Sequence, residues 1–125
     1  MPELVPEPFL IPFQNGATVE EFIGRDRDGS DRVSVALLYA PPGWIEPVQT
    51  PEFDEVTVVL TGALRVECDG EVIEVAENQA VITKAGETVQ YSSPTGSRYL
   101  AVCLPAFDAG LAHRQPLSTI EHLVQ

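Results

Sequence analysis

The side chains best suited to chemistry in this 125-residue chain lie between residues 43 and 62. A Pro-Pro-Gly turn opens this stretch, polar side chains follow, and a β-branched run ends it at a Thr-Gly pair. The polar side chains are Glu46, Gln49, Glu52, Asp54 and Glu55. Because a turn, a polar cluster and an apolar strand follow in this order, the stretch predicts a polar pocket mounted on a β-sheet.

Short strands at even spacing must position these groups. Apolar, β-branched runs predict strands over residues 18–23, 32–39, 56–60, 63–68, 71–75, 80–83, 88–92 and 98–104. Asp69-Gly70 is typical of a two-residue hairpin turn. Since no helical period separates these runs, the pattern favours an antiparallel sandwich or a small barrel. A capping box at residues 118–121 predicts a short helix over residues 118–125.

The length and the absence of linkers predict a single domain over residues 1–125. Residues 1–16 carry four prolines among apolar side chains, which is typical of an extended arm or an edge segment. The apolar side chains of this arm need a surface on which to bury, either on this domain or on a second subunit. We therefore expect the arm to contribute to a homodimer contact. The polar residues 25–31 predict a charged hairpin turn.

The charge and the cysteines restrict the partners and the compartment. Nineteen acidic and seven basic residues give a net charge of −12, so neither nucleic acid nor a membrane is expected as a partner. No run approaches the ~20 apolar residues that span a bilayer. The start lacks the basic and apolar regions of a signal peptide. Cys68 and Cys103 lie in apolar runs and are expected to be free thiols, which favours the cytoplasm.

The order of residues resembles the cupin superfamily. The first cupin motif, G-x5-H-x-H-x3-E-x6-G, is matched in spacing by Gly43, Gln49, Pro51, Glu55 and Gly62. The second motif, G-x5-P-x-G-x2-H-x3-N, falls on Asn78, Lys84, Gly86, Val89 and Ser93. Within cupins, the segments F-D-E-V-T-V-V-L-T-G, G-E-T-V-Q-Y-S-S-P and Y-L-A-V-C-L-P-A-F resemble the ethanolamine-utilisation Q-type branch. The resemblance implies an all-β fold: a small antiparallel cupin-type β-barrel (a double-stranded β-helix, or jelly roll) with its core over residues 32–107, commonly a homodimer.

The resemblance also implies where a metal would bind. In most cupins the two histidines and the glutamate of the first motif, with the histidine of the second, bind a divalent metal. Those positions here are Gln49, Pro51, Glu55 and Val89. Proline and valine side chains carry no donor, and an amide oxygen is a weak ligand for a transition metal. We therefore expect no metal and no other cofactor; the alternative is a site for a harder ion formed by Glu46, Gln49 and Glu55.

Strand alternation predicts which groups share the cavity of such a barrel. If Glu55 points inward, so does Thr57, and if Val89 occupies the histidine position, Tyr91 shares its face. The expected catalytic residues are Glu55, Tyr91 and Gln49. The expected ligand-binding residues are Trp44, Glu46, Tyr39, Thr57 and Val89. Desolvation raises the pKa of a carboxyl group in an apolar cavity, so Glu55 would act as a general acid or base, with Tyr91 or Gln49 stabilising an oxyanion.

These features predict a protein that binds a small organic molecule, and three functions stay open. The first is a metal-independent isomerase, lyase, cyclase or decarboxylase that uses Glu55. The second is a non-catalytic binder or sensor, in which Glu55 orients the ligand or only supports the structure. The third, implied by the resemblance, is an accessory protein of a pathway like ethanolamine utilisation.

Five further side chains admit two interpretations. Trp44 is equally a pocket wall or a plug at one barrel end. Glu46 is expected to be a solvated loop carboxylate rather than a buried one. Arg114 would clamp an anionic ligand or pair with surface carboxylates, and the His113-Arg114 pair is expected on a surface loop. Cys103 has no histidine nearby in sequence and is not expected to be a nucleophile.

Overall fold

The computed structural model of the chain describes residues 1–115, and these are mostly β-structure. Its strands are β1 Phe9–Pro12, β2 Thr18–Ile23, β3 Ser34–Ala40, β4 Trp44–Ile45, β5 Asp54–Gly62, β6 Leu64–Cys68, β7 Glu71–Val75, β8 Ala80–Thr83, β9 Val89–Ser93 and β10 Ser97–Leu104. The helices α1 (Arg25–Asp28) and α2 (Ala109–Ala112) are one turn each, and Gln14–Gly16 forms a 3-10 turn. The predicted helix over residues 118–125 lies outside the described residues.

The strands form two antiparallel sheets. The six-stranded sheet has the order β1-β2-β3-β10-β5-β8, and the four-stranded sheet has the order β4-β9-β6-β7. Buried side chains of the first sheet, including Val59 and Tyr99, pack into one core with Leu64, Val66 and Val89 of the second. The chain is therefore a two-layer jelly-roll sandwich. The all-β antiparallel prediction is confirmed, but the sheets do not close into a barrel, because no hydrogen-bond ladder joins the edge strands of one described sheet to the other.

Tight turns hold the strands in register. The β6–β7 hairpin turns at Asp69 (φ 52°) and Gly70 (φ 78°), the pair of positive φ values that the Asp-Gly signal predicts. Between β5 and β6, Gly62 has φ 79°, and a Cβ atom there would lie 2.1 Å from the carbonyl oxygen of Gly96. Position 62 therefore requires glycine both for its backbone conformation and for its space.

The N-terminal arm folds onto its own domain. Its strand β1 pairs antiparallel with β2, which makes β1 an edge strand of the six-stranded sheet. Ile11 and Phe13 are partly buried, whereas Leu10 is 67% exposed. No described helix is long and apolar enough to cross a membrane.

The segment predicted to be a charged hairpin turn connects the antiparallel strands β2 and β3, and its first part forms the helical turn α1. The buried Glu21 carboxylate accepts hydrogen bonds from the backbone N–H groups of Asp26 (3.1 Å) and Arg27 (2.9 Å). These N–H groups have no partner within a single helical turn, so a carboxylate from the preceding strand stabilises the helical conformation. The helical turn itself was not predicted, because the capping carboxylate lies on β2 and not at the N-cap position of the helix.

Candidate functional site

A cavity of about 280 Å³ lies against the inner face of the six-stranded sheet. The sheet, the arm and the loop after β10 supply its mostly apolar walls. Those apolar side chains are Ile11, Phe13, Val19, Ala36, Leu38, Ala101, Phe107 and Ala109. The polar side chains that reach it include Glu46, Gln49, Glu55 and Arg114. An apolar pocket with a few convergent polar groups is the usual form of a small-molecule site.

Strand alternation places Glu55 in this cavity. In β5 the side chains of Glu55, Thr57 and Val59 are buried, while those between them are less so, as the sequence predicted. The β-sheet register puts Cys103 of β10 directly beside Glu55. Glu55 is 9% exposed, and Oε2 of its carboxylate accepts a long hydrogen bond (3.5 Å) from the Thr57 hydroxyl. The carboxyl group is therefore desolvated and only weakly hydrogen-bonded to its own strand.

The loop after β4 supplies Glu46 and Gln49. The backbone N–H and C=O of Gln49 both bond to Val89 of β9, at 2.9 Å each. This two-sided pairing fixes Gln49, which is 2% exposed, with its side chain in the cavity wall. Glu46 is 4% exposed and also faces the cavity. The expectation of a solvated loop carboxylate at position 46 was wrong, because backbone hydrogen bonds to Tyr91 and Val89 of β9 hold this loop in place with Glu46 buried.

Arg114 connects these groups. Its Nη2 donates to the Glu46 carboxylate (3.3 Å), and its Nε donates to the side-chain oxygen of Gln49 (3.2 Å). The guanidinium carbon lies 4.5 Å from the ring centroid of Phe13 and 4.9 Å from that of Phe107. Such stacking attracts and orients a guanidinium cation. Arg114 is therefore a fixed cation in the cavity wall, and the expectation of a surface loop was wrong for it.

Burial shifts the ionisation of both carboxyl groups. Desolvation raises the pKa of Glu46 to about 7, although the Arg114 guanidinium opposes the shift. Desolvation, and then the charge of Glu46, raise the pKa of Glu55 to about 8, again against the effect of Arg114. One arginine thus compensates one carboxylate, so the site resists carrying two negative charges. Near neutral pH, Glu55 is mainly a neutral acid.

Two tyrosines and a cysteine surround the acids. Tyr99 lines the cavity, whereas Tyr91 does not line it and its hydroxyl bonds to that of Thr83 at 3.0 Å. Burial raises the pKa of both phenols well above their ordinary range, so both are neutral donors. Cys103 lines the cavity, but burial raises the pKa of its thiol far above neutrality. A thiol in that state is a poor nucleophile.

The remaining predicted ligand-binding residues do not line the cavity. Thr57 and Val89 are buried beside it and hold Glu55 and Gln49, respectively. Trp44 is 2% exposed and packs between the rings of Phe13 and Tyr99, so it supports two cavity residues from behind. Tyr39 is 48% exposed and lies away from the cavity, because alternation along β3 directs it outward.

The site does not fit the metal that most cupins bind. The four ligand positions hold Gln49, Pro51, Glu55 and Val89, of which two have side chains without donor atoms. No group of three His, Cys, Asp or Glu side chains that could hold an ion occurs among residues 1–115. His113 is exposed and pairs with Glu52, and His122 lies outside the described residues.

Sequence reasoning missed Tyr99 as a member of the site, and it considered Arg114 as a clamp for an anionic ligand but favoured a surface loop for it. The alternation of buried residues in β10 is visible in the sequence and would have put Tyr99 on the same face as Ala101 and Cys103. Arg114 has a weaker signal: it follows an apolar Pro-Ala-Phe segment after the last strand. Its place in the cavity depends on a bridge between Gln49 and Arg114 that no local pattern predicts.

Comparison with known proteins gives a consistent fold and one partial sequence relative. No protein-family model matches the chain. A region of 108 residues, 85% of this chain, is 41% identical to the protein named endoribonuclease YbeY from Myxococcus xanthus (strain DK1622). The match spans only 37% of that relative's length.

Solved structures share the fold at low sequence identity. A putative ethanolamine utilization protein Q from Salmonella typhimurium LT2 is 22% identical with a TM-score of 0.66, covering 77% of this chain and 75% of that one. An RmlC-like cupin from Shewanella frigidimarina has 13% identity and a TM-score of 0.72, covering 85% and 91%. KdgF from Halomonas sp. has 15% identity and a TM-score of 0.70, covering 82% and 93%.

Proposed function

Because this chain has the cupin fold with an apolar cavity against the inner face of its six-stranded sheet, we propose that it binds a small organic molecule there and uses Glu55 as a general acid or base without a metal. One observation carries the proposal. Glu46 and Glu55 are both at least nine-tenths buried, face the same cavity and share a single compensating cation, Arg114. Carboxyl groups with such raised pKa values cluster at catalytic sites more often than elsewhere.

The chemistry follows from the environment of Glu55. A carboxylate whose pKa is raised to about 8 is a stronger base than an ordinary glutamate, yet its acid form is populated at neutral pH. It can therefore take a proton from a bound carbon acid and return it. The neutral phenol of Tyr99 and the amide of Gln49 reach the same cavity and would stabilise a developing oxyanion. This set suits an isomerase, lyase, cyclase or decarboxylase.

A probe reaction tests the base without knowledge of the natural substrate. The flat, apolar molecule 5-nitrobenzisoxazole loses its ring C–H proton to a base, its N–O bond breaks, and a coloured cyanophenolate forms. We expect the protein to accelerate this elimination by about 100-fold or more over acetate at equal carboxylate concentration, the range of general-base catalysis. The rate should rise with pH and level off above about 8, where Glu55 is ionised.

Two variants make the result specific. Glu55→Gln should remove the acceleration, whereas Glu67→Gln, which removes an exposed carboxylate on β6, should leave it unchanged. An acceleration that survives in Glu55→Gln, or an unaccelerated reaction with the native chain, would contradict the catalytic proposal.

A non-catalytic binder or accessory protein is the second candidate. It is favoured by the fixed pairing of Glu46 and Gln49 with Arg114, which builds a rigid pocket rather than a set of free acids. The structural neighbour named for ethanolamine utilization supports an accessory role in such a pathway. A chain that binds small molecules in the cavity but fails the elimination test belongs to this class.

The endoribonuclease named among the relatives is not favoured as a model for this site. The cavity is lined by the carboxylates of Glu21, Asp26, Glu46 and Glu55 against one guanidinium, and the chain carries a net charge of −12. An RNA phosphate would be repelled by such a surface.

We also propose that two copies associate through the outer face of the six-stranded sheet. Across β3, β10 and β5 one row of register neighbours joins Leu37, Leu100 and Val58. The next row joins Val102, Val56 and Ile82 of β8. We call these six residues the aliphatic face. Two copies of an acidic chain repel each other wherever carboxylates meet, so a face of aliphatic side chains is the surface on which a second copy fits.

Charge substitution at the rim of the aliphatic face tests this pairing. Ile82 is 61% exposed, so Ile82→Glu should leave the fold intact and convert a dimer into a monomer. Ile73→Glu is the matched control, because Ile73 is 48% exposed on β7 of the other sheet. Light scattering coupled to size-exclusion chromatography measures both masses. A monomeric native chain, or a dimer that persists in Ile82→Glu, would contradict the proposal.

We infer a cytoplasmic location for the protein. Cys68 and Cys103 are both free thiols, and they lie in strands of different sheets. Free thiols of this kind are typical of reducing compartments. Purification under non-reducing conditions followed by thiol titration tests the state of both side chains, and a disulfide in the protein from its native cell would contradict the inference.

A further inference from the structure

The charges around the cavity do not balance. Among the described residues that line it, four are carboxylates (Glu21, Asp26, Glu46 and Glu55) and one, Arg114, is a cation. Glu21 is satisfied by the backbone N–H groups of α1, and Asp26 is exposed at the rim. Glu21, Glu46 and Glu55 are all buried, and because the backbone N–H groups of α1 compensate Glu21, the ionisation of Glu46 and Glu55 determines the charge of the interior.

Arg114 is committed to one of those two acids. Its Nη2 donates to Glu46, its Nε to Gln49, and the Phe13 and Phe107 rings hold it in place. Glu55 has no such partner among residues 1–115: its hydrogen bond is the 3.5 Å contact with Thr57 on its own strand. If Glu55 ionises, the interior carries one uncompensated negative charge, which a proton or a cationic ligand can neutralise.

We propose that the cavity's ligand is a small organic monocation, an ammonium group on an apolar body, whose charged end lies against Glu55. This inference rests on the proposed function, in which the cavity is a small-molecule site. The rest of the wall fits the apolar body, since it includes Val19, Leu38, Ala36, Ala101 and the Tyr99 ring. An aromatic ring also attracts a cation. The volume of about 280 Å³ restricts the ligand to a small molecule.

The surroundings of Glu55 predict that binding of a cationic ligand releases a proton from its carboxyl group. Two charged groups influence Glu55: Glu46 disfavours its carboxylate form and Arg114 favours it. Tyr91, Tyr99 and Cys103 lie close enough for the charge of Glu55 to raise their pKa values, and all three are neutral near pH 7. An ammonium ligand adds a second group that favours the carboxylate, so its binding must expel the proton that Glu55 carries near neutral pH. A neutral ligand of the same shape expels none.

Three matched probes test the inference by titration calorimetry at pH 7. Benzylammonium, benzyl alcohol and benzoate share one ring and differ in charge. We expect benzylammonium to bind at least tenfold more tightly than benzyl alcohol, and benzoate more weakly than either. Repeating the titration in phosphate and in Tris gives the number of protons released, which should approach one for benzylammonium and zero for the alcohol.

The variants separate the ammonium preference from general binding. Glu55→Gln should abolish the preference for benzylammonium while benzyl alcohol keeps its affinity within threefold, and Glu67→Gln should change neither. Proton release is measured on the native chain, so it tests the inference even if Glu55→Gln does not fold. Any of three results overturns the inference that the ligand is a cation. These are equal affinity for benzyl alcohol and benzylammonium, a preference for benzylammonium that survives in Glu55→Gln, and binding of benzylammonium without proton release.

The outcomes distinguish this inference from the function on which it rests. If benzyl alcohol binds as well as benzylammonium, and 5-nitrobenzisoxazole is still converted, the cavity remains a catalytic small-molecule site and only the cationic ligand is refuted. If none of the three probes binds and the elimination is not accelerated, both proposals fail.

Discussion

Raising the pH should destabilise this protein, because its two cavity acids must ionise in an apolar environment. The pKa of Glu55 is raised to about 8 and that of Glu46 to about 7, from an ordinary value of 4.5. A group with a raised pKa binds its proton more tightly in the folded state than in the unfolded state. Its contribution to stability is fully present below about pH 4.5 and is lost as the pH rises through its folded pKa.

The magnitude follows from linkage. Between pH 5 and pH 8.5, Glu55 alone should reduce the free energy of unfolding by about 4 kcal/mol, at about 1.4 kcal/mol for each pKa unit traversed. Glu46 should contribute a further 2 to 3 kcal/mol or so, reduced by its coupling to Glu55. Since domains of this size have total stabilities of about 5–15 kcal/mol, such a loss is readily measured.

Urea denaturation at pH 5 and pH 8.5, followed by tryptophan fluorescence, measures the effect. The Glu55→Gln variant cannot ionise, so its stability should fall by about 4 kcal/mol less than that of the native chain over this interval. Glu67→Gln is the control for loss of one exposed charge and should retain the native pH dependence. If native and Glu55→Gln stabilities change in parallel with pH, Glu55 is not a desolvated acid and the reasoning fails.

Two other substitutions test the site and the turns. Arg114→Met removes the cation that lowers the pKa of both acids, so the pKa values of Glu46 and Glu55 should both rise. The pH at which the benzisoxazole elimination reaches half of its maximal rate should therefore move upward. An unchanged pH–rate profile would contradict this role of Arg114. Gly62→Ala should lower the free energy of unfolding, measured by urea denaturation, by about 3 kcal/mol or more, because the new Cβ would meet the Gly96 carbonyl. Gly70→Ala is the control: position 70 has the same positive φ, but its Cβ would meet nothing within 4 Å, so the loss should be about 1 kcal/mol. Equal losses would show that the contact at Gly62 relaxes freely.

Much of the fold was predictable because it depends on local patterns. Period-two alternation predicted that Glu55 and Thr57 share a face, and the cupin resemblance implied that this face is the inner one. The Asp69-Gly70 pair predicted its hairpin. The strand pattern left a two-sheet sandwich and a closed barrel as alternatives, since closure depends on the pairing of distant edge strands. The helical turn α1 was missed because its stabilising carboxylate, Glu21, lies on another element.

The site was less predictable than the fold. Motif spacing located Glu55 and Gln49, since both lie at conventional ligand positions of the resembled family. It gave no indication that Glu46 is buried or that Arg114 pairs with it. Those facts depend on a contact between residues separated by 68 positions, which arises only when the chain folds.

The most direct test of the account is the protonation state of Glu55 at neutral pH. Infrared spectroscopy detects the C=O stretch of a protonated carboxyl group separately from the carboxylate bands. The account predicts that the native protein retains a carboxylic-acid band at pH 7 and that its larger part disappears with a midpoint of about 8. Glu55→Gln should lack that part and keep only the band of Glu46, whose midpoint is about 7. A native spectrum with no protonated carboxyl group at pH 7 would contradict the buried, uncompensated acid on which the proposed chemistry depends.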